Sequence, residues 1–317
     1  MLRFAATRVA YTIAVLLAVS MLVFAVTELL PGNVVTMILG TDATAEDVAR
    51  LNRLMGLDQP APLRYAKWIA GAAHGDFGES LRMQRPLGPV LATRLGNSLV
   101  LAGTAFVLVA LGGLALGVVT AMREGTRTDR VLTAGAVIGT SLPEFVTGTL
   151  LILLFAGGWL RALPPSGYEG FQAGVGDAAL HLVLPACTLA VILAAYVGRV
   201  MRTSMIDVLR SDYVRTARLK GLPERTVLLR HVLPNALVPA VTVLFMNLGW
   251  MFGGIVVVEE IFVFPGIGRL MLFGITERDW PVIQACAIVI AAVYVLGNLV
   301  GDLLVMALDP RIREAST

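Results

Sequence analysis

Read in windows of about 19 residues, the chain resolves into long apolar stretches parted by polar intervals. The stretches fall near Val9 to Leu29, Ser98 to Ala121, Val131 to Phe155, Ala179 to Val200, Leu233 to Val258 and Val282 to Leu308. A hydrocarbon layer about 30 Å thick is crossed by roughly 20 helical residues at about 1.5 Å each, so every stretch is long enough to span it. The pattern predicts an all-α membrane protein, a single transmembrane domain over residues 1–317 with about six helices.

The polar intervals differ in charge. Arg123, Arg127 and Arg130 join the second and third stretches, and Arg199, Arg202, Arg210, Arg215, Arg218, Lys220, Arg225 and Arg230 crowd the interval before the fifth. Short loops rich in Lys and Arg stay in the cytoplasm, so both intervals are expected there. Arg3 and Arg8 before the first stretch, and Arg311 and Arg313 after the last, place both termini inside after an even number of crossings. The interval near Arg161 is poor in basic residues, as an outer loop should be.

Residues 31–94 carry Arg but also Asp42, Glu46, Asp47, Asp58, Asp76 and Glu79, and long translocated loops escape the charge rule. An external segment is expected there. Within it Thr44 is placed to cap a helix with Asp47 at the third position. Val48, Leu51, Leu54 and Met55 would give that helix one apolar face and Gly56 would end it.

Composition agrees with lipid as the solvent: 57% of residues are hydrophobic and only 15% charged, too few for an ordinary soluble surface. The net charge of +3 concentrates in loops, where it orients the protein rather than indicating nucleic acid. Cys187 and Cys286 both fall inside expected spans without a CxxC pattern, so neither a disulfide framework nor a metal site is indicated. The apolar run from Val9 to Leu30 exceeds a signal-peptide core and no small-x-small cleavage site follows, which makes it the first membrane helix. Gly113 with Gly117, Gly135 with Gly139, Gly249 with Gly253, and Gly297 with Gly301 stand at the spacing that lets helix backbones approach in lipid.

Several chemistries lack their signatures. No Gly-Lys dipeptide occurs, so the phosphate-cradling loop of the common ATP-binding motif is excluded. His74, His181 and His231 form no His-Glu-x-x-His pattern, and there is no Gly-x-Ser-x-Gly elbow. No catalytic residue is nominated, and the chain is expected to bind no cofactor.

The most specific segment is the basic interval 201–232 and its continuation, Asp212-Tyr-Val-Arg-Thr-Ala-Arg-Leu-Lys-Gly221 followed by Leu-Pro-Glu-Arg-Thr-Val-Leu-Leu-Arg-His231-Val-Leu-Pro-Asn235. Gly221 can take a positive φ, Pro223 fixes the start of a second element, and Pro234 marks entry into the next span, so two short helices around a turn are expected. This loop resembles the coupling loop of permease subunits in ABC importers, Glu-Ala-Ala, three residues, Gly, nine residues, Ile-x-Leu-Pro. Ala217, Gly221, Leu233 and Pro234 match it. Arg215, Thr216 and His231 depart from the general pattern, and the Arg-Thr-Ala start before Lys-Gly resembles the dipeptide and oligopeptide branch. The same branch is resembled by Leu30-Pro-Gly-Asn, Gly56-Leu-Asp-Gln-Pro, Arg64-Tyr-x-x-Trp68 and Gly75-Asp-Phe-Gly-Glu-Ser80. Val258-Glu-Glu-Ile-Phe, Phe264-Pro-Gly-Ile-Gly-Arg-Leu270, Arg278-Asp-Trp-Pro-Val-Ile-Gln284, Gly301-Asp-Leu-Leu and Leu308-Asp-Pro-Arg-Ile-Arg313 carry the likeness nearly to the end.

The resemblance implies a type I ABC importer permease fold, with Arg215, Thr216, Ala217, Gly221, Leu233 and Pro234 as the coupling residues. It also implies partners: a second, different permease chain, two cytoplasmic ATPase subunits or domains that hold ATP and Mg, and an external solute-binding protein. The expected cargo is di- or oligopeptides, with nickel chelates, haem or oligosaccharides as family alternatives. The chain would sit in the bacterial inner membrane.

Four features stay open at the level of sequence. Glu144, beside Pro143 within the third stretch, is either a pathway carboxylate that attracts a peptide ammonium or one satisfied by Ser141, Thr147 or freed backbone. As a proton carrier it would instead suit an ion-gradient-driven transporter with no ATPase. Asn247 and Asn298 either line a conduit or join helices. Phe264, Pro265, Gly266 and Gly268 form either an external gate or binding-protein docking site, or a connector whose glycines satisfy turn geometry.

Overall fold

A computed structural model describes residues 2–29, 44, 46, 58–157 and 160–308. Among them every regular element is helical, and strand-like pairing is confined to one bridge between Glu79 and Pro86. The helix expected to open at Thr44 falls, apart from Thr44 and Glu46, outside the described residues.

The first long helix is α1 (Leu2–Leu29), followed by α2 (Ala61–Ala73), α3 (Leu87–Met122), α4 (Arg127–Ser141) and α5 (Glu144–Ile152), whose continuation Leu153–Gly157 widens to π-helical pitch. A 3-10 turn, Gly170–Ala173, precedes α6 (Val175–Leu209) and α7 (Asp212–Leu219). A short turn, Glu224–Thr226, and a π-helical stretch, Val227–Val232, lead into α8 (Leu233–Met246). Then come α9 (Leu248–Ile261), α10 (Ile267–Thr276) and α11 (Trp280–Leu308). Five of the described helices are long and apolar enough to cross a membrane, and six if α4 and α5 count as one broken span.

Two of the six stretches differ from the straight spans the hydropathy suggests. The third is bent by 111° between α4 and α5. The cause lies at Leu142 and Pro143. Proline has no N–H to continue the ladder and forces the preceding residue out of helical geometry. Leu142 accordingly adopts φ −88° and ψ 130°, and Pro143 becomes the cap of α5. The fifth stretch breaks at Asn247, which ends α8 and starts α9. The helices α3 and α6 run longer than their apolar cores, at 36 and 35 residues, because helical hydrogen bonding continues past the point where side chains turn polar.

Packing falls into three clusters along the bundle. The middle one joins Leu101, Ala105 and Val109 of α3, Leu189, Leu193 and Val197 of α6, and Met251 and Ile255 of α9. At the Arg-rich end Met201 and Met205 of α6 meet Val214 and Ala217 of α7, Val227, Val232 and Ala236. At the far end Leu87 and Leu91 meet Ile267, Leu270, Val282 and Cys286. Lipid gives helices no hydrophobic reason to associate, so close backbone approach has to supply the attraction. Gly117 provides it between α3 and α6: a methyl group there would come 2.6 Å from the Gly198 carbonyl oxygen. Gly301 does the same between α11 and α8, where a methyl would lie 2.5 Å from the Phe245 oxygen. Gly135 and Gly253, by contrast, face open space.

α1 stands at the periphery with Tyr11, Ile13, Met21 and Leu22 exposed. It is fastened to α2 by Ser20 Oγ and Tyr65 OH at 2.8 Å, and to α11 by Gln284 Nε2 donating to Thr27 Oγ1 at 2.6 Å.

Candidate functional site

Three places hold the residues nominated from sequence. The first is a knuckle at the Arg-rich end. α6 runs out to Leu209, and α7 folds back with Val214 and Ala217 buried beneath it. α7 ends at Leu219, and Gly221 beyond it has a φ of +74°, which turns the chain so that the Leu222 N–H faces the Ala217 carbonyl at 3.4 Å. A methyl at Gly221 would meet nothing within 4 Å, so the requirement there is conformational rather than spatial.

Pro223 starts the next turn, and Arg218 closes it with two bonds to Glu224, Nη2 to Oε1 at 2.6 Å and Nε to Oε2 at 3.2 Å. These bonds hold the Arg218 guanidinium above its ordinary pKa. Tyr213 OH donates to the His231 carbonyl at 3.3 Å. The outer surface is left with Arg215, Thr216, Gly221 and Pro234, and with three apolar side chains, Tyr213, Leu219 and Leu222. Leu219 is 80% exposed, at the tip. Of the nominated coupling residues, Ala217 is buried and Leu233 half-buried, so these two shape the knuckle while the others present its surface.

The knuckle is also tied sideways. Arg202 of α6 grips Asp129 of α4, Nε to Oδ1 at 3.0 Å and Nη2 to Oδ2 at 2.8 Å, and Arg210 pairs with Glu124 at 2.9 Å. Asp129 further accepts from the Gly125 N–H and Thr133 Oγ1, and its own N–H is capped by Thr126. Hydropathy gave no sign of these pairs. Only the cap spacing Thr126-x-x-Asp129 marks one partner.

The second place is mid-bundle. Glu144 is the first residue of α5, directly after the bend, and its carboxylate lies against Gly254 of α9. Ser141 Oγ donates to the Val137 carbonyl and Thr147 Oγ1 to that of Pro143, so neither satisfies the carboxylate. Asn247 Nδ2 donates to the Val243 carbonyl at 2.8 Å, which caps its own helix. Asn298 packs on Gly249, where a methyl group would come 2.5 Å from its Oδ1. Gly249 and Gly254 are five residues apart, about 140° around α9. Glu144 and Asn298 therefore touch different sides of that helix and do not converge.

The third place is the far end. Glu259, fully buried at the end of α9, accepts from Ser98 Oγ at 2.5 Å, from the Gly268 N–H at 2.8 Å and from the Arg269 N–H at 3.1 Å. Ser98 Oγ in turn accepts from the Ile267 N–H at 2.8 Å, and Asn97 Nδ2 donates to the Pro265 carbonyl at 2.9 Å. The first turn of α10 is thus capped by a carboxylate and pinned to α3. Gly266 is obligatory by contact, since any side chain there would overlap the Glu259 carboxylate. Phe264, Gly266 and Gly268 are buried and Pro265 half-buried, with Tyr168 stacked on Phe264 at 4.5 Å. At the other end of α10, buried Asp279 accepts from Ser80 Oγ at 2.5 Å and from the Arg82 N–H at 3.0 Å. The motifs around Ser80, Glu259 and Asp279 are therefore one assembly, which sequence spacing alone does not reveal.

Comparison with known proteins covers nearly the whole chain. Residues 113–314 match the family described as binding-protein-dependent transport system inner membrane component, and residues 1–102 match its amino-terminal counterpart. The chain is 39% identical over 306 residues to the probable peptide ABC transporter permease protein y4tP of Sinorhizobium fredii, covering 96% of this chain and 97% of that protein. It is 38% identical over 315 residues to the glutathione transport system permease protein GsiC of Salmonella typhi, covering 99% of each. The crystal structure of an amino acid ABC transporter with histidines aligns at a TM-score of 0.49 and 19% identity, over 70% of this chain and 94% of that one.

Proposed function

The chain belongs to the family of binding-protein-dependent transport system inner membrane components, and from that premise we propose that it carries short peptides inward as one of two membrane-spanning halves of an ATP-driven importer. It is a multi-pass inner-membrane permease subunit of an ABC importer, a class that works with a solute-binding protein and ATPase partners. The ion-gradient reading that Glu144 kept open is not favoured by this membership. Peptide cargo is supported by relatives named for peptide and for glutathione, itself a tripeptide. The Arg-rich end faces the cytoplasm with both termini, the second permease is a different chain, and ATP and Mg belong to two ATPase partners.

The observation that carries this reading is the knuckle. Exposed Leu219 and Leu222 at the end of a short helix whose other face is packed into the bundle, with Tyr213 exposed in its first turn, have the form of a plug that enters a groove on a partner. Its rear face contacts α6, and its continuation enters α8 through Val227 and Val232. Displacement of the tip by a closing ATPase would therefore move two membrane helices together. Glu144 would meet the peptide ammonium on the way, a role supported by its position at the bend and by the absence of a hydrogen-bond partner for its carboxylate among the described residues.

The test is co-purification of the detergent-solubilised complex, wild type against Gly221→Asp, with ATPase activity measured in the presence of the binding protein. Asp at a φ of +74° strains the turn and adds a charge at the tip. The expected result is loss of the ATPase from a variant that still holds its second permease. A well-folded wild-type chain that brings down no ATPase would refute the reading.

A further inference from the structure

Phe264, Gly266 and Gly268 lie inside the protein, so the external surface they support is the place to look for contacts. α10 buries Ile267, Leu270 and Gly274 against α3 and α11 and turns Arg269, Phe273 and Thr276 outward. Between that outer face and the start of α3 lies a cavity of about 420 Å3, with Arg94, Glu260, Arg269, Phe273, Thr276 and Glu277 in its wall. Met83, Leu270 and Leu272 complete its lining.

Its wall carries two arginines and two glutamates, but their pairing leaves one arginine over. Arg269 pairs with Glu260 at 3.7 Å, and Glu277 is taken by Arg82 at 3.9 Å. Glu259, a further carboxylate near Arg94, is buried and committed to Ser98 and to the α10 amides. Arg94 is half-buried and has no carboxylate partner within salt-bridge distance among the described residues, and its charged neighbours include Arg269 and Arg85. A guanidinium held in a concave wall beside an exposed Phe273 has the composition of an interface anchor point. Glu259 and Asp279 fix α10 at both ends, so the anchor is preorganised.

We infer that this cavity receives an acidic side chain, Asp or Glu, of the docked solute-binding protein, with Arg94 as its partner and Arg269 and Phe273 as the flanking walls. The inference rests on the importer reading above and adds a residue-level docking site to it. Charge-assisted pairing there would both speed encounter and hold the complex.

The experiment uses the full complex in proteoliposomes, with ATPase activity measured against the concentration of the importer's own peptide-loaded binding protein. Arg94→Met should raise the half-saturating concentration about tenfold and flatten its dependence on salt, while Arg94→Lys should fall between it and wild type. Equal half-saturation for wild type and Arg94→Met would overturn the inference and leave the importer reading standing. So would a difference that disappears when the cargo peptide is carboxyl-amidated, since that assigns the carboxylate to the cargo. Loss of the second permease from the purified Arg94→Met complex would also overturn it, by making the cavity a permease–permease contact. A wild-type complex indifferent to the binding protein would remove the importer reading, and this site with it.

Discussion

At the scale of single residues, Glu259 separates two demands that a buried carboxylate can serve. It is completely enclosed, yet three donors converge on it and Gly266 is held to a hydrogen atom to make room. If its task is to accept those bonds, an amide of the same shape can do much of it. Gln can turn its oxygen to the two backbone N–H groups and its NH2 to Ser98 Oγ, which retains the Arg94 carbonyl as an acceptor. Ala leaves the Gly268 and Arg269 N–H groups unpaired, at about 1–3 kcal/mol for each buried orphan, while Ser98 Oγ falls back on the Arg94 carbonyl. Glu259→Ala should therefore destabilise the purified protein by several kcal/mol, seen as a large fall in its thermal unfolding midpoint, and Glu259→Gln by about 1 kcal/mol. Gly266→Ala should resemble Glu259→Ala, because its methyl displaces the carboxylate. Equal effects of Gln and Ala would mean that the negative charge, not the hydrogen bonding, is what the site requires.

At the scale of elements, the ties between α4 and α6 decide whether the knuckle moves alone. Asp129 is 5% exposed and held by both nitrogens of one guanidinium edge. Removing one partner of such a pair costs more than removing both. A double-mutant cycle with Asp129→Asn and Arg202→Gln should give a coupling of about 1–3 kcal/mol in stability. Each single variant should also keep its ATPase while losing most peptide uptake, because the displacement of α6 no longer reaches α4 and the bend beyond it. Uptake falling only in proportion to ATPase activity would restrict the pair to a structural role.

These elements also mark what the sequence could and could not reveal. Six membrane stretches and the turn of the knuckle were legible, since hydropathy, Gly221 and Pro223 are local signals, but the second short helix expected there is the start of the next span, which runs from Glu224 through Pro234 to Met246. The 111° bend was not: Pro143 is visible, but apolar residues continue on both sides of it, and a hydropathy window carries no direction. Helix ends were misjudged wherever polar residues extend a helix beyond the lipid, as from Leu87 to Asn97 in α3. The pairs Asp129–Arg202 and Ser98–Glu259 are separated by 73 and 161 residues, and nothing in the spacing of such residues encodes their meeting.

At the scale of the molecule, α3 and α6 form one block from the knuckle to the far end of the bundle. α3 has 36 residues, a rod about 54 Å long. Gly113 and Gly117 seat it on α6 so closely that neither helix can slide without collision. The middle cluster fills the remaining space, and densely packed interiors transmit displacement rather than absorb it. Alternating access should then come from this chain rocking as a body against the second permease, with the α4–α5 bend and peripheral α1 as its movable parts. Spin labels on Arg225→Cys at the knuckle and Thr93→Cys at the start of α3, in a protein with Cys187 and Cys286 replaced by Ala, report the internal distance. Between nucleotide-free and ATP-trapped complexes that distance should change by less than about 2 Å, while the distance from Arg225→Cys to a label on the second permease should change by much more. A large internal change would mean that α3 and α6 shear past each other during transport. The glycine contacts would then be a sliding surface rather than a weld.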